Sequence, residues 1–153
     1  MQALTLLLLR ASLAGLLFFW GANKLLNTEH SAAISEQYYF SFMSADILLY
    51  AFGTVQIVIG LLVLVGFLRR FAYPAQILIN GASLIAVLPS IIDPLGWYLS
   101  DTNLLFYPSL IIFTGSLLLI AFLREDQLSL DTKLQQPTSW KVRHLCPRDN
   151  APR

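Results

Sequence analysis

The sequence predicts an all-α integral membrane protein, a four-helix bundle with both termini in the cytoplasm. Three observations carry that expectation. Four apolar runs occupy residues 3–22, 47–68, 71–92 and 104–123. A tight basic turn, Arg69-Arg70, separates the second run from the third. The connections on the other side are acidic. Each run is about 20 residues, and at about 1.5 Å per residue this matches a hydrocarbon core of about 30 Å. Inside lipid the backbone must satisfy its own hydrogen bonds, so runs of this kind become helices.

Composition narrows the class. The 153 residues are 56% hydrophobic and 12% charged, where soluble domains carry about 25% charged residues. One domain, residues 1–123, is expected, followed by a polar cytoplasmic tail, residues 124–153, that is extended or weakly ordered. The lipid bilayer is the expected environment. The net charge of +1 is not pooled on one segment, so no nucleic-acid partner is expected.

The first run could be mistaken for a secretory signal. Arg10 interrupts it and bulky Trp20 precedes the small residues Gly21 and Ala22, so a retained first helix is expected. Topology follows from the Lys/Arg excess. The Arg69-Arg70 turn and the tail, with Arg124, Lys133, Lys141, Arg143, Arg148 and Arg153, lie in the cytoplasm. The first connection sets Lys24 against Glu29, Glu36 and Asp46, and the third holds Asp93 and Asp101. Both therefore face outward. Residues 31–43 mix Tyr, Phe and Met, which suits an interfacial helix or a cap over the bundle mouth.

Residue inventory excludes several chemistries. Cys146 is the single cysteine, so an intramolecular thiol exchange has no resolving partner. His30 and His144 both fall outside the runs, which removes a haem held between two intramembrane histidines. No Cys, His and carboxylate set has metal-ligand spacing. No catalytic residue, no metal site and no covalently bound cofactor is expected.

Polar residues within the runs are the candidate site. Arg10 and Lys24 share a face of the first helix. If that helix spans residues 3–22, Arg10 sits deep. If its core runs from Leu9 to Leu26, the two cations mark opposite ends and snorkel at lower cost. The second helix aligns Gly53, Gln56 and Gly60, and the third aligns Gln76, Asn80 and Ser83. The fourth offers Tyr107 and Thr114 with Gly115 and Ser116 beside them. Arg10, Lys24, Gln56 and Asn80 form the candidate polar interior. The same pattern also reads as interhelical packing. Pro74 is expected in the first turn of the third helix, where a missing N–H is harmless.

Two stretches carry a family resemblance. Residues 9–25, LRASLAGLLFFWGANKL, and 52–70, FGTVQIVIGLLVLVGFLRR, resemble the first two helices of the DoxX-like membrane proteins, with the likeness extending over about residues 4–123. Arg10, Gly21 and Lys24 match the first motif, and Gly53, Gly60, Gly66 and Arg69 match the second. Gln56 stands where many members carry Glu. The resemblance implies a bacterial inner-membrane four-helix bundle. The family takes its name from a small subunit of a thiosulfate:quinone oxidoreductase. The implied role is a non-catalytic membrane subunit or anchor supporting a protein partner, for which a redox enzyme is a candidate, or forming a homo-oligomer. The alternative is a quinone-linked oxidoreductase subunit with its headgroup pocket in the bundle, quinone being the one cofactor in view. A small-molecule transporter is the remaining reading.

Overall fold

The computed structural model describes residues 1–38, 46–99 and 102–135. Within them the chain is helical, with no strand. Helix α1 spans Gln2–Leu26, α2 Thr28–Tyr38, α3 Asp46–Val65, α4 Arg69–Ala86, α5 Leu88–Ile92, α6 Pro108–Ala121 and α7 Leu130–Gln135. A 3-10 turn, Leu104–Phe106, leads into α6. Among the described residues three helical stretches are long and apolar enough to cross a membrane: Gln2–Leu26, Asp46–Val65 and Leu104–Ala121.

The 71–92 run is met by two helices rather than one. Its first helix begins at Arg69 and stops at Ala86. Pro89 has no N–H to offer the carbonyl four residues back, so the chain turns at Val87 and resumes with Pro89 in the first turn of α5. The early start of α4 also moves Pro74. It lies inside the helix, past the first turn where it was expected, and it removes a donor from the carbonyl of Arg70.

α1 packs most extensively on α3, and α4 on α6, while α3 also meets α4 and α1 meets α6. Glycine makes the first of these approaches close. A Cβ on Gly21 would lie 2.7 Å from the Gly53 carbonyl oxygen, and one on Gly53 would lie 2.9 Å from the Gly21 oxygen. Further along, a Cβ on Gly60 would sit 3.1 Å from the Ala14 oxygen. Small residues at this spacing let two backbones touch. The buried core draws on α1, α3, α4 and α6, with Leu13 and Ala14 from α1, Val63 from α3, Tyr73 from α4 and Leu119 from α6.

The outside is apolar. Leu8, Phe19, Leu78 and Ile111 are all more than half exposed, spread over α1, α4 and α6. A surface of this kind suits lipid, and the chain reads as an integral membrane protein.

Short elements close the ends. α2 returns along the end of α1, with Ser31 buried and its hydroxyl donating to the Asn23 carbonyl at 3.4 Å. Part of the 31–43 segment is thus helical, and its remainder, 39–43, lies outside the described residues. After α5, Asp93 gathers the turn through Pro94, Leu95 and Gly96. Its carboxylate accepts from the N–H groups of Trp97, Tyr98 and Leu99 at 3.0, 2.6 and 2.9 Å.

At the other end the polar tail departs from expectation. Residues 122–135 fold back across the helices and end in α7, with Asp126 and Ser129 fully buried. The expectation of weak order came from composition alone. Buried ion pairs to distant helices supply the order. The rest of the tail, including Trp140, Arg143 and Cys146, lies outside the described residues.

Candidate functional site

The α3–α4 turn prepares one end of the helices. Gly66 ends α3 with φ +70. Its N–H donates to Val63 at 3.1 Å, and the Phe67 N–H donates to Leu62 at 3.0 Å, the pair of bonds that a left-handed residue after a helix allows. The glycine has a second reason. A Cβ there would stand 2.5 Å from Nη1 of Arg10, so its absence makes the seat for that guanidinium. Leu68 is also left-handed, at φ 50, a conformation that costs a side-chain-bearing residue about 1–2 kcal/mol. Asp131 holds it there: the carboxylate accepts from Leu68 N at 3.1 Å and Arg69 N at 2.9 Å. A residue 62 positions away thus caps α4.

Arg10 is 2% exposed, projecting from α1 into this end. Its Nη1 lies 3.0 Å from both oxygens of Asp126, and its Nη2 donates to the Leu128 carbonyl at 3.1 Å. Tyr73 donates its hydroxyl to the same carboxylate at 2.7 Å. Arg69 approaches from α4 and donates to the carbonyls of Leu123 and Asp126 at 3.0 and 3.1 Å and to the Thr132 hydroxyl at 2.9 Å. Its guanidinium is 3.6 Å from the carboxylates of both Asp126 and Asp131. Two guanidiniums thus face two carboxylates. A buried ion pair of this kind is costly to break from one side, by about 3–5 kcal/mol.

A second polar group lies between α4 and α6. Gln76 and Asn80 donate to the hydroxyl of Ser116 at 3.1 and 2.8 Å, and Ser116 donates to the Ile112 carbonyl at 2.8 Å. All three are buried. Gln56, buried in α3, leaves its Oε1 without a donor among the described residues, as does Gln76. Lys24 stands apart from all of these. Its ammonium lies 5.5 Å from the ring centroids of both Trp20 and Phe52, a cation–π seat.

The four candidate residues therefore occupy separate settings. Arg10 is held by residues 126–128, Lys24 by two aromatic rings, and Asn80 by Ser116, with Gln56 on the intervening helix. Arg10, in the ninth position of α1, and Lys24, in its last turn, lie about 21 Å apart by helical rise. Sequence reasoning did not name Asp126, Tyr73 or Asp131. An aspartate in a polar tail carries no local mark of a partner in the first helix. The one usable signal was a glycine shortly before an arginine turn.

The residues of both motifs, Arg10, Gly21, Lys24, Gly53, Gly60, Gly66 and Arg69, all fall within residues 5–88, which the DoxX family model matches. The chain belongs to the DoxX family. No curated protein and no solved structure matches it. The DoxX match is shorter than the 4–123 expected from the motifs, and it ends before α6. It includes Arg10, Tyr73, Gln76 and Asn80, while their partners Asp126 and Ser116 lie beyond it. The polar contacts thus tie the matched region to α6 and to residues 122–135.

Proposed function

We propose that this DoxX protein is a non-catalytic membrane subunit or anchor that supports a protein partner, with a redox enzyme as the partner class. It would sit in the bacterial inner membrane as a four-helix bundle with both termini cytoplasmic. One observation carries the reading. Most of the buried polar groups of the helices are already bonded within the protein: Arg10 to Asp126 and Leu128, and Gln76 and Asn80 to Ser116. Groups committed in this way hold helices together and are not presented to a substrate. The fourth span is α4. Its Phe71, Leu78 and Ile85 recur every seven residues and are each more than 70% exposed, while Ala72, Gln76 and Asn80 are buried. That is a lipid-facing stripe backed by a polar packing stripe.

Isolation in mild detergent tests the role. A stoichiometric protein partner is expected; a free protein carrying quinone would replace this reading with that of a quinone-linked subunit. The amide oxygens of Gln56 and Gln76 favour that second reading, since both are buried acceptors without a donor among the described residues and would suit a quinol hydroxyl. Reporter fusions test the topology. Fusions after Glu36 and after Trp97 should report outside, and one after Arg70 inside. An external reporter at the C-terminus would overturn the orientation.

A further inference from the structure

The segment 122–135 is held as a receptor holds a peptide. Asp126 enters between Arg10 and Arg69 against the Tyr73 hydroxyl, and Asp131 accepts the first N–H groups of α4. Main-chain atoms are read as well. Arg69 takes the carbonyls of Leu123 and Asp126, Arg10 takes that of Leu128, and the Asp131 N–H donates to the Gly66 carbonyl at 3.1 Å. Apolar burial is confined mainly to Leu123, which packs against the core, while Leu128, Leu130 and Leu134 are exposed. A free anion would satisfy the two charged seats and leave the carbonyl and N–H contacts unmade. The seat also has unused capacity: the Nε–H of Arg10 is buried without an acceptor among the described residues.

We propose that this end of the helices is a receptor for an acidic peptide segment with two carboxylates five residues apart, and that the chain's own strap fills it in cis. A partner segment of that chemistry would take the same seats as the strap leaves, exchanging one set of polar bonds for another. The proposal rests on the reading that the protein supports a protein partner, and it names the recognition chemistry. The tether sets the competition. A short linker holds its segment at an effective concentration of about mM, so the intact strap should keep weak competitors out.

The test uses the full-length protein in detergent and a fluorescent peptide of residues 122–135. The Asp126→Asn/Asp131→Asn protein should bind the peptide at least tenfold more tightly than the unaltered protein. A peptide with asparagine at both positions should bind neither, and inorganic phosphate at equal ionic strength should not compete. A doubly substituted protein of unaltered helicity that gains no affinity would overturn the proposal. Competition by phosphate would overturn it in favour of a small-anion site. If the substitutions reduce helicity, the unaltered protein decides. The exposed Arg124 and Lys133 should be cut by trypsin several-fold faster with an excess of the acidic peptide made trypsin-resistant by Arg124→Ala and Lys133→Ala, and not with the asparagine peptide carrying the same two changes; equal rates would overturn the proposal. Failure to recover a partner from the membrane would count against the anchoring role and leave peptide binding standing, so the two failures are distinguishable.

Discussion

Arg10 and Asp126 stand 116 residues apart in the chain and 3.0 Å apart in the fold. The contact ties the first long helix to the segment that leaves the last one. Both side chains are out of water, at 2% and 1% exposure, so each is the condition for burying the other. Removing either should leave the cluster of Arg10, Arg69, Asp126 and Asp131 with one unmatched charge.

Asp126→Asn and Arg10→Gln are each expected to destabilise the folded protein by about 3–5 kcal/mol. The double substitution should cost clearly less than the sum, because the second change removes the charge stranded by the first. Thermal unfolding in detergent, read by circular dichroism across the four proteins of the cycle, measures the coupling. Strict additivity would show that the pair does not act as a unit.

The glycines should divide sharply. Gly21→Val or Gly53→Val places atoms against backbone that cannot move aside, so a loss of about 1–3 kcal/mol is expected. Gly15 has nothing within 4 Å of its would-be Cβ. There Gly15→Ala should be neutral or stabilise by about 0.5–1 kcal/mol through helix entropy. Equal effects at Gly15 and Gly21 would contradict the close approach of α1 and α3.

Ser116→Ala removes the acceptor that Gln76 and Asn80 share. Side-chain hydrogen bonds within membranes are worth about 0.6–2 kcal/mol, so a loss near that range is expected. Adding Asn80→Ala to Ser116→Ala should cost less than Asn80→Ala does in the unaltered protein. Unfolding by sodium dodecyl sulfate titration provides the comparison.

The Asp93 turn should show a pH dependence. The N–H of Tyr98, with those of Leu99, Trp97 and Gly96, holds the carboxyl below its ordinary value of 3.8, while burial acts in the opposite direction. A carboxyl depressed on folding adds stability that is fully present above 3.8 and lost as pH falls through the lower folded value. Asp93→Asn should therefore lower stability near neutrality and flatten the acid limb of the stability profile below pH 3.8. A limb unchanged in slope would show that the carboxylate does not hold the turn.

Hydropathy made the helical class and the approximate apolar runs legible, because each is a local property of consecutive residues; the expected turn at Arg69-Arg70 falls instead at residues 66–68, with both arginines opening α4. The small residues of α1 and α3 were legible as a packing pattern for the same reason. The break at Val87 was not, since a proline near a helix end, as Pro89 is, permits either a stop or a kink. The early start of α4 was hidden too. It depends on Asp131 capping Leu68 and Arg69 across 63 and 62 residues.

From its sequence alone this chain is a helical membrane protein of the DoxX type, because apolar length and the position of cations are set residue by residue along the chain. Only the tertiary structure decided which polar groups belong together. It sent Arg10 to Asp126, Asn80 to Ser116 and Lys24 to Trp20 and Phe52, and it set residues 124–135 of the tail against the helices with Asp126 and Ser129 buried. The physical reason is that a charge out of water must be met by whatever partner the fold brings within about 3 Å. Nothing in the local sequence of Asp126 records that its partner is in the first helix.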